Sequence, residues 1–112
     1  MRDDADPARA ATRRLPAAAL AGLQEAFVAE VADRLPRLRD AVDSGDPTRL
    51  DDVVRDAHAL GSSAAVMGEP AASRAARAAE ALLVEQPRRD DVLDALRAHV
   101  DDLARELSGW AR

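Results

Sequence analysis

The stretch Arg55-Asp56-Ala57-His58-Ala59-Leu60-Gly61-Ser62-Ser63-Ala64-Ala65-Val66-Met67-Gly68 decides how this chain folds. Leu50, Val54, Ala57, Gly61, Ala64 and Gly68 recur at helical spacing and define one buried stripe. At about 100° per residue, His58 falls roughly 110° from the centre of that stripe, on its flank. Its neighbours one turn on are Gly61 and Ser62, and one turn back Val54 and Arg55. A glycine inside a helix costs about 1 kcal/mol relative to alanine, so Gly61 needs a reason. Clearing space beside the imidazole is a good one. A competing reading makes Gly61-Ser62-Ser63 a helix end followed by a serine cap, with His58 in a last turn that favours a cationic ring. The stripe continues in register through Ala64 to Gly68, which favours an unbroken helix.

Working outward, Ser44-Gly45-Asp46-Pro47 is a strong break: glycine ends one helix, aspartate caps the next and proline takes its first position. Before it, Leu20, Leu23, Phe27, Val31, Leu38 and Val42 describe a long amphipathic helix from Pro16 to Asp43, with Pro36 inside it expected to kink or split it. The histidine helix runs from Pro47 to about Met67, and Gly68-Glu69-Pro70 makes a second break. A third helix presents Ala72, Ala75, Ala76, Ala79, Leu82 and Leu83, a small face suited to close packing, and Gln86-Pro87 ends it. Asp90 or Asp91 caps a last helix with Leu93, Leu96, Val100, Leu103 and Leu107 inward, ended by Ser108-Gly109. Short connections favour antiparallel neighbours, so the expected fold is an all-α, antiparallel up-down four-helix bundle with a short or irregular N-terminal segment. Residues 1–14 carry mixed charge without periodicity and read as a flexible tail; residues 15–112 form the domain.

The chain has 112 residues, enough for one domain, and a formal net charge of −5 with acidic and basic residues interleaved. That balance argues against nucleic acid as a partner, which demands clustered positive charge, and against binding to anionic lipid. The pairs Arg13-Arg14 and Arg88-Arg89 are too small for such a patch and read as solubilising. Without cysteine there is no disulfide framework and no thiolate metal site. No apolar run approaches the roughly 20 residues that span a bilayer, and Met1 to Arg14 lacks the apolar core of a signal peptide. A cytoplasmic protein is the expectation. Lysine, isoleucine, asparagine and tyrosine are absent and alanine is the commonest residue, a bias of the kind a GC-rich coding sequence imposes.

These residues resemble the histidine phosphotransfer (HPt) domains of bacterial phosphorelays. That family carries His-x-Leu-Lys-Gly-Ser/Ala and a second glycine ten residues after the histidine. His58, Leu60 and Gly68 fall on the pattern without a gap, and Ser63 fills the Ser/Ala position. Two positions depart from it: Gly61 stands where lysine is usual, and Ser62 where glycine is. Upstream, Phe27, Leu35, Leu38 and the Gly45-Asp46 turn are similar to the family's preceding helix; downstream, Glu80-Ala81-Leu82 is similar to the end of its following helix. The resemblance covers about residues 15 to 107. It implies that His58 is the phosphoacceptor and that this chain binds no metal or cofactor, Mg²⁺ belonging to the partner receiver domain. It implies response regulator receiver domains as partners, with a hybrid histidine kinase as a further one, and a chain acting as a monomer.

The chemistry suits histidine. A neutral imidazole keeps one lone pair for nucleophilic attack while its other nitrogen fixes the tautomer through a hydrogen bond. Transfer otherwise depends on positioning and electrostatic stabilisation. The family lysine is thought to stabilise phosphate charge. Gly61 cannot, so Arg55, on the same flank as His58, and the Ser62 hydroxyl are the candidates, with Gly61 and Ser62 leaving room for docking. Arg55 reads equally well as a surface arginine paired with Asp51 or Asp52. His99, flanked by bulky Leu96 and Leu103, reads as structural or solvated, and Glu69 is no catalytic base, since its carboxylate would repel phosphate. The leading expectation is a relay intermediate that accepts phosphate from a receiver aspartate and passes it to another regulator. It has no ATP hydrolysis or autokinase activity of its own, in keeping with the absence of a glycine-rich nucleotide loop. The alternative is a degenerate bundle of the same fold acting as a non-catalytic binding or inhibitory adaptor.

Overall fold

Two glycines with positive φ set the limits of the histidine-bearing helix, and the other elements follow from them. A computed structural model describes residues 15–85 and 92–110. Helix α1 spans Ala17–Ser44, with Pro16 at its N-cap. Gly45 follows at φ 67°, in the left-handed region, and donates its N–H back to the Val42 carbonyl. Asp46 then accepts hydrogen bonds from the backbone and hydroxyl of Thr48, at 2.9 and 2.7 Å. Those two bonds hold its carboxyl below the usual carboxylate range. The capped segment Pro47–Arg49 is a single 3-10 turn leading into α2, Leu50–Val66.

Helix α2 ends in a Schellman motif. Gly68, at φ 74°, donates to Ala65, and Glu69 donates to Ala64 at 2.8 Å. The helix therefore runs unbroken through Gly61-Ser62-Ser63, and the serine-cap reading is excluded. Gly68 leaves the expected stripe because it lies outside the helix. Helix α3, Pro70–Glu85, follows at once, and α4 spans Val92–Glu106. The tail at residues 1–14, the Gln86-Pro87 stop, the Asp90 or Asp91 cap and both arginine pairs lie outside the described residues.

Each helix packs on its neighbours in chain order, and α4 closes the ring against α1, giving the all-α four-helix bundle. The core is aliphatic: Leu38, Leu60, Leu96, Leu103 and Leu107 are its largest fully buried side chains, with Val31, Val42 and Val53. Phe27 meets Trp110 edge to face at 4.8 Å, and the Trp110 indole donates to Glu69 at 3.2 Å, tying the C-terminal turn to α1 and to the start of α3.

Several expectations are corrected here. Pro36 does not split α1. It lies on the exposed face, as does Ala32, whose carbonyl it leaves without an N–H partner, while Leu35 and Leu38 are anchored in the core. Leu20 is only half-buried and Leu23 is 38 % exposed, because α1, at 28 residues, outruns the 15 to 17 residues of the other helices. In α2 the buried arc is Val53, Asp56, Ala57, Leu60, Gly61 and Ala64, with Leu50 and Val54 at its edge. It is wider than one stripe because α2 packs against α1 on one side and α3 on the other.

Candidate functional site

A helix covered on two sides leaves one arc to solvent, and His58 stands on it. Its side chain is 67 % exposed, as its flank position required. The ring is not free to turn: Nδ1 lies 3.1 and 3.2 Å from the two carboxylate oxygens of Glu80 on α3. An ionised carboxylate only accepts, so Nδ1 carries the proton and donates it. In the neutral ring the lone pair then belongs to Nε2, on the side away from Glu80.

The contact depends on how closely α2 and α3 approach. Ala57, Gly61 and Ala64 face Ala72, Ala76 and Ala79, all buried, across a seam of small residues. A Cβ added at Gly61 would lie 3.1 Å from the Cβ of Ala76. This supplies the reason for Gly61 and corrects the one drawn from spacing: the glycine is buried and lets two helices meet, and it does not open the surface beside the imidazole. The same approach carries Glu80 to the ring.

Arg55 is exposed one turn before His58 and bonds Asp52 at 3.2 Å. Ser62 is exposed one turn after it, on the rim of an apolar groove of about 260 Å³ between α1 and α2, floored by Phe27 and Met67. His99 lies half-buried on α4. Among the described residues no group of three or more His, Asp and Glu side chains is set to hold a metal ion, and none of the helices they form is long and apolar enough to cross a membrane.

Sequence reasoning missed two carboxylates. In sequence Glu80 marks only the end of a helix. Asp56, buried on the face of α2 toward α1, takes a hydrogen bond from Arg34 at 2.8 Å and two from Arg37 at 3.0 and 2.9 Å. Burial by itself would push its carboxyl up, but the bonds and charges of Arg37 and Arg34 outweigh that and hold it below the usual carboxylate range. The same bond raises the Arg37 guanidinium. A polar residue at a core position, with arginines at positions 34 and 37 on a facing helix, is the available signal. Asp56 and His58, two residues apart, point to different neighbours, so this cluster braces the helix from behind.

The family model for the Hpt domain matches residues 22–109 of the chain. No curated protein and no solved structure matches it.

Proposed function

Because this chain belongs to the Hpt domain family, which serves histidine phosphotransfer in two-component phosphorelays with receiver domains and kinases, we propose that His58 is its phosphoacceptor. The observation that carries this reading is the Nδ1 to Glu80 hydrogen bond on an otherwise exposed ring. It fixes the tautomer and presents Nε2 outward. A receiver domain brings its aspartyl phosphate, with Mg²⁺ in its own site, over the ring. The Nε2 lone pair attacks phosphorus as the bond to the aspartyl oxygen breaks, and the aspartate leaves with the bonding pair as carboxylate. Nδ1 keeps its proton, so the ring becomes cationic, and the Glu80 carboxylate offsets that charge, much as an aspartate supports the histidine of a catalytic triad. Passing phosphate to a second regulator is the reverse of the same step. Ser62 and Arg55, one turn to either side, border the surface the partner covers.

The test is covalent. Phosphorylated receiver plus this chain should give an acid-labile, base-stable phosphoramidate on His58, and His58→Gln should abolish it with melting nearly unchanged, since an exposed side chain contributes little to the core. Label on His99, or none from any receiver, would overturn the reading in favour of a non-catalytic adaptor.

A further inference from the structure

The phosphorylated ring has an electrostatic difficulty that Glu80 worsens. A phosphoryl group on Nε2 brings about two negative charges beside a carboxylate already touching the same imidazole. A cation must stand close, and Gly61 supplies none from α2. Arg55 is already engaged by Asp52.

We propose that Arg77, reaching across from α3, is the phosphate-binding cation of this site; the inference rests on the phosphotransfer reading of His58. The antiparallel pairing of α2 and α3 brings Glu80 to His58, and one turn along, about 4.5 Å of helix rise, it brings Arg77 to Gly61. The Arg77 Cγ lies 3.8 Å from where a Gly61 Cβ would be. The stem of the arginine thus lies within van der Waals reach of position 61, at the edge of the seam between the two helices, and Arg77 is exposed. Among the described residues no carboxylate pairs with Arg77, so its guanidinium is available. An arginine has the reach and the paired donors to hold two phosphoryl oxygens.

The experiment loads the whole chain with potassium phosphoramidate, a small donor that needs no partner, and in parallel with a phosphorylated receiver. Arg77→Met keeps an aliphatic stem over Gly61 and removes the charge. It should slow formation of phosphohistidine about tenfold with both donors, roughly 1.4 kcal/mol of lost stabilisation. It should also move the phosphorus resonance titration of the phosphoryl group upward, because its dianion loses a cation. Arg77→Lys, which keeps the charge but not the paired donors, should restore part of the rate, and Arg74→Met, one turn further along α3, should leave it unchanged. Native uptake by Arg77→Met, with His58→Gln inactive, would overturn the assignment and leave the phosphotransfer reading intact. Equal slowing by the Met and Lys variants would overturn it too, since charge would not be the cause. If His58 of the native chain takes phosphate from neither donor, the phosphotransfer reading falls, and Arg77 with it.

Discussion

Glu80 and Gly61 are single residues whose roles come from what stands opposite them. Glu80→Ala frees the ring and removes the charge that offsets the imidazolium, so phosphate uptake should fall by about ten- to a hundredfold. Glu80→Gln retains an amide oxygen for Nδ1–H and should fall less. Uptake at the native rate in both variants, measured with a phosphorylated receiver, would remove Glu80 from the mechanism. At Gly61 two effects oppose. Alanine gains about 1 kcal/mol in helix propensity, but its methyl meets Ala76, a Cβ that cannot rotate away. Crowding of this kind costs about 1–3 kcal/mol. Gly61→Ala should therefore melt at or below the native temperature, and Gly61→Val well below it.

Glycines elsewhere in the helices and at their ends behave by their backbone instead. Gly22 lies within exposed α1 with open space where a Cβ would go, so Gly22→Ala should raise stability by about 0.5–1 kcal/mol. Gly68 closes α2 at φ 74°, and Gly68→Ala should cost about 1–2 kcal/mol through left-handed strain. Thermal melts of the two single variants, moving in opposite directions, would check both. These positions are partly legible in sequence: turn chemistry marks the Gly45-Asp46-Pro47 break, although Pro47 opens a 3-10 turn and α2 itself starts at Leu50. Spacing places Gly68 in a stripe it does not join, because spacing alone does not separate the last turn of a helix from the residue that caps it. Pro36 leaves α1 unbroken for a related reason, since the cost of a helical proline depends on whether the orphaned carbonyl lies on the exposed face.

Across the bundle as a whole, the Asp56 cluster joins α1 to α2 from behind the site, with the side chains of Arg34 and Arg37 29 % and 47 % exposed. Those arginines can turn to water when the carboxylate is lost. Asp56→Asn should therefore cost about 1–3 kcal/mol near neutral pH, less than breaking a fully enclosed pair. The sign with pH follows from the lowered carboxyl: its stabilisation is fully present above the unfolded value of about 3.9 and is lost as pH falls through the folded value. The melting difference between native chain and Asp56→Asn should be widest near pH 7 and shrink below about pH 4. A constant difference across that range would show that the cost lies in packing rather than in charge.

Local signals suffice for the four helices, for the breaks at Gly45-Asp46 and Gly68 and for the exposure of His58. These follow from period, capping residues and turn chemistry, all interactions within a few residues of one another. The sequence also marks the small face of α3, though not what that face receives. The partners come from packing between helices. Glu80 meets His58 across 22 residues of chain, and Arg34 and Arg37 meet Asp56 across 22 and 19. Arg77 reaches Gly61 only because a seam of alanines lets α2 and α3 approach closely. The reason is register. Periodicity states which face of a helix is buried, but the residues that meet across an interface depend on how far one helix is slid along the other, and that is set by packing summed over the whole bundle.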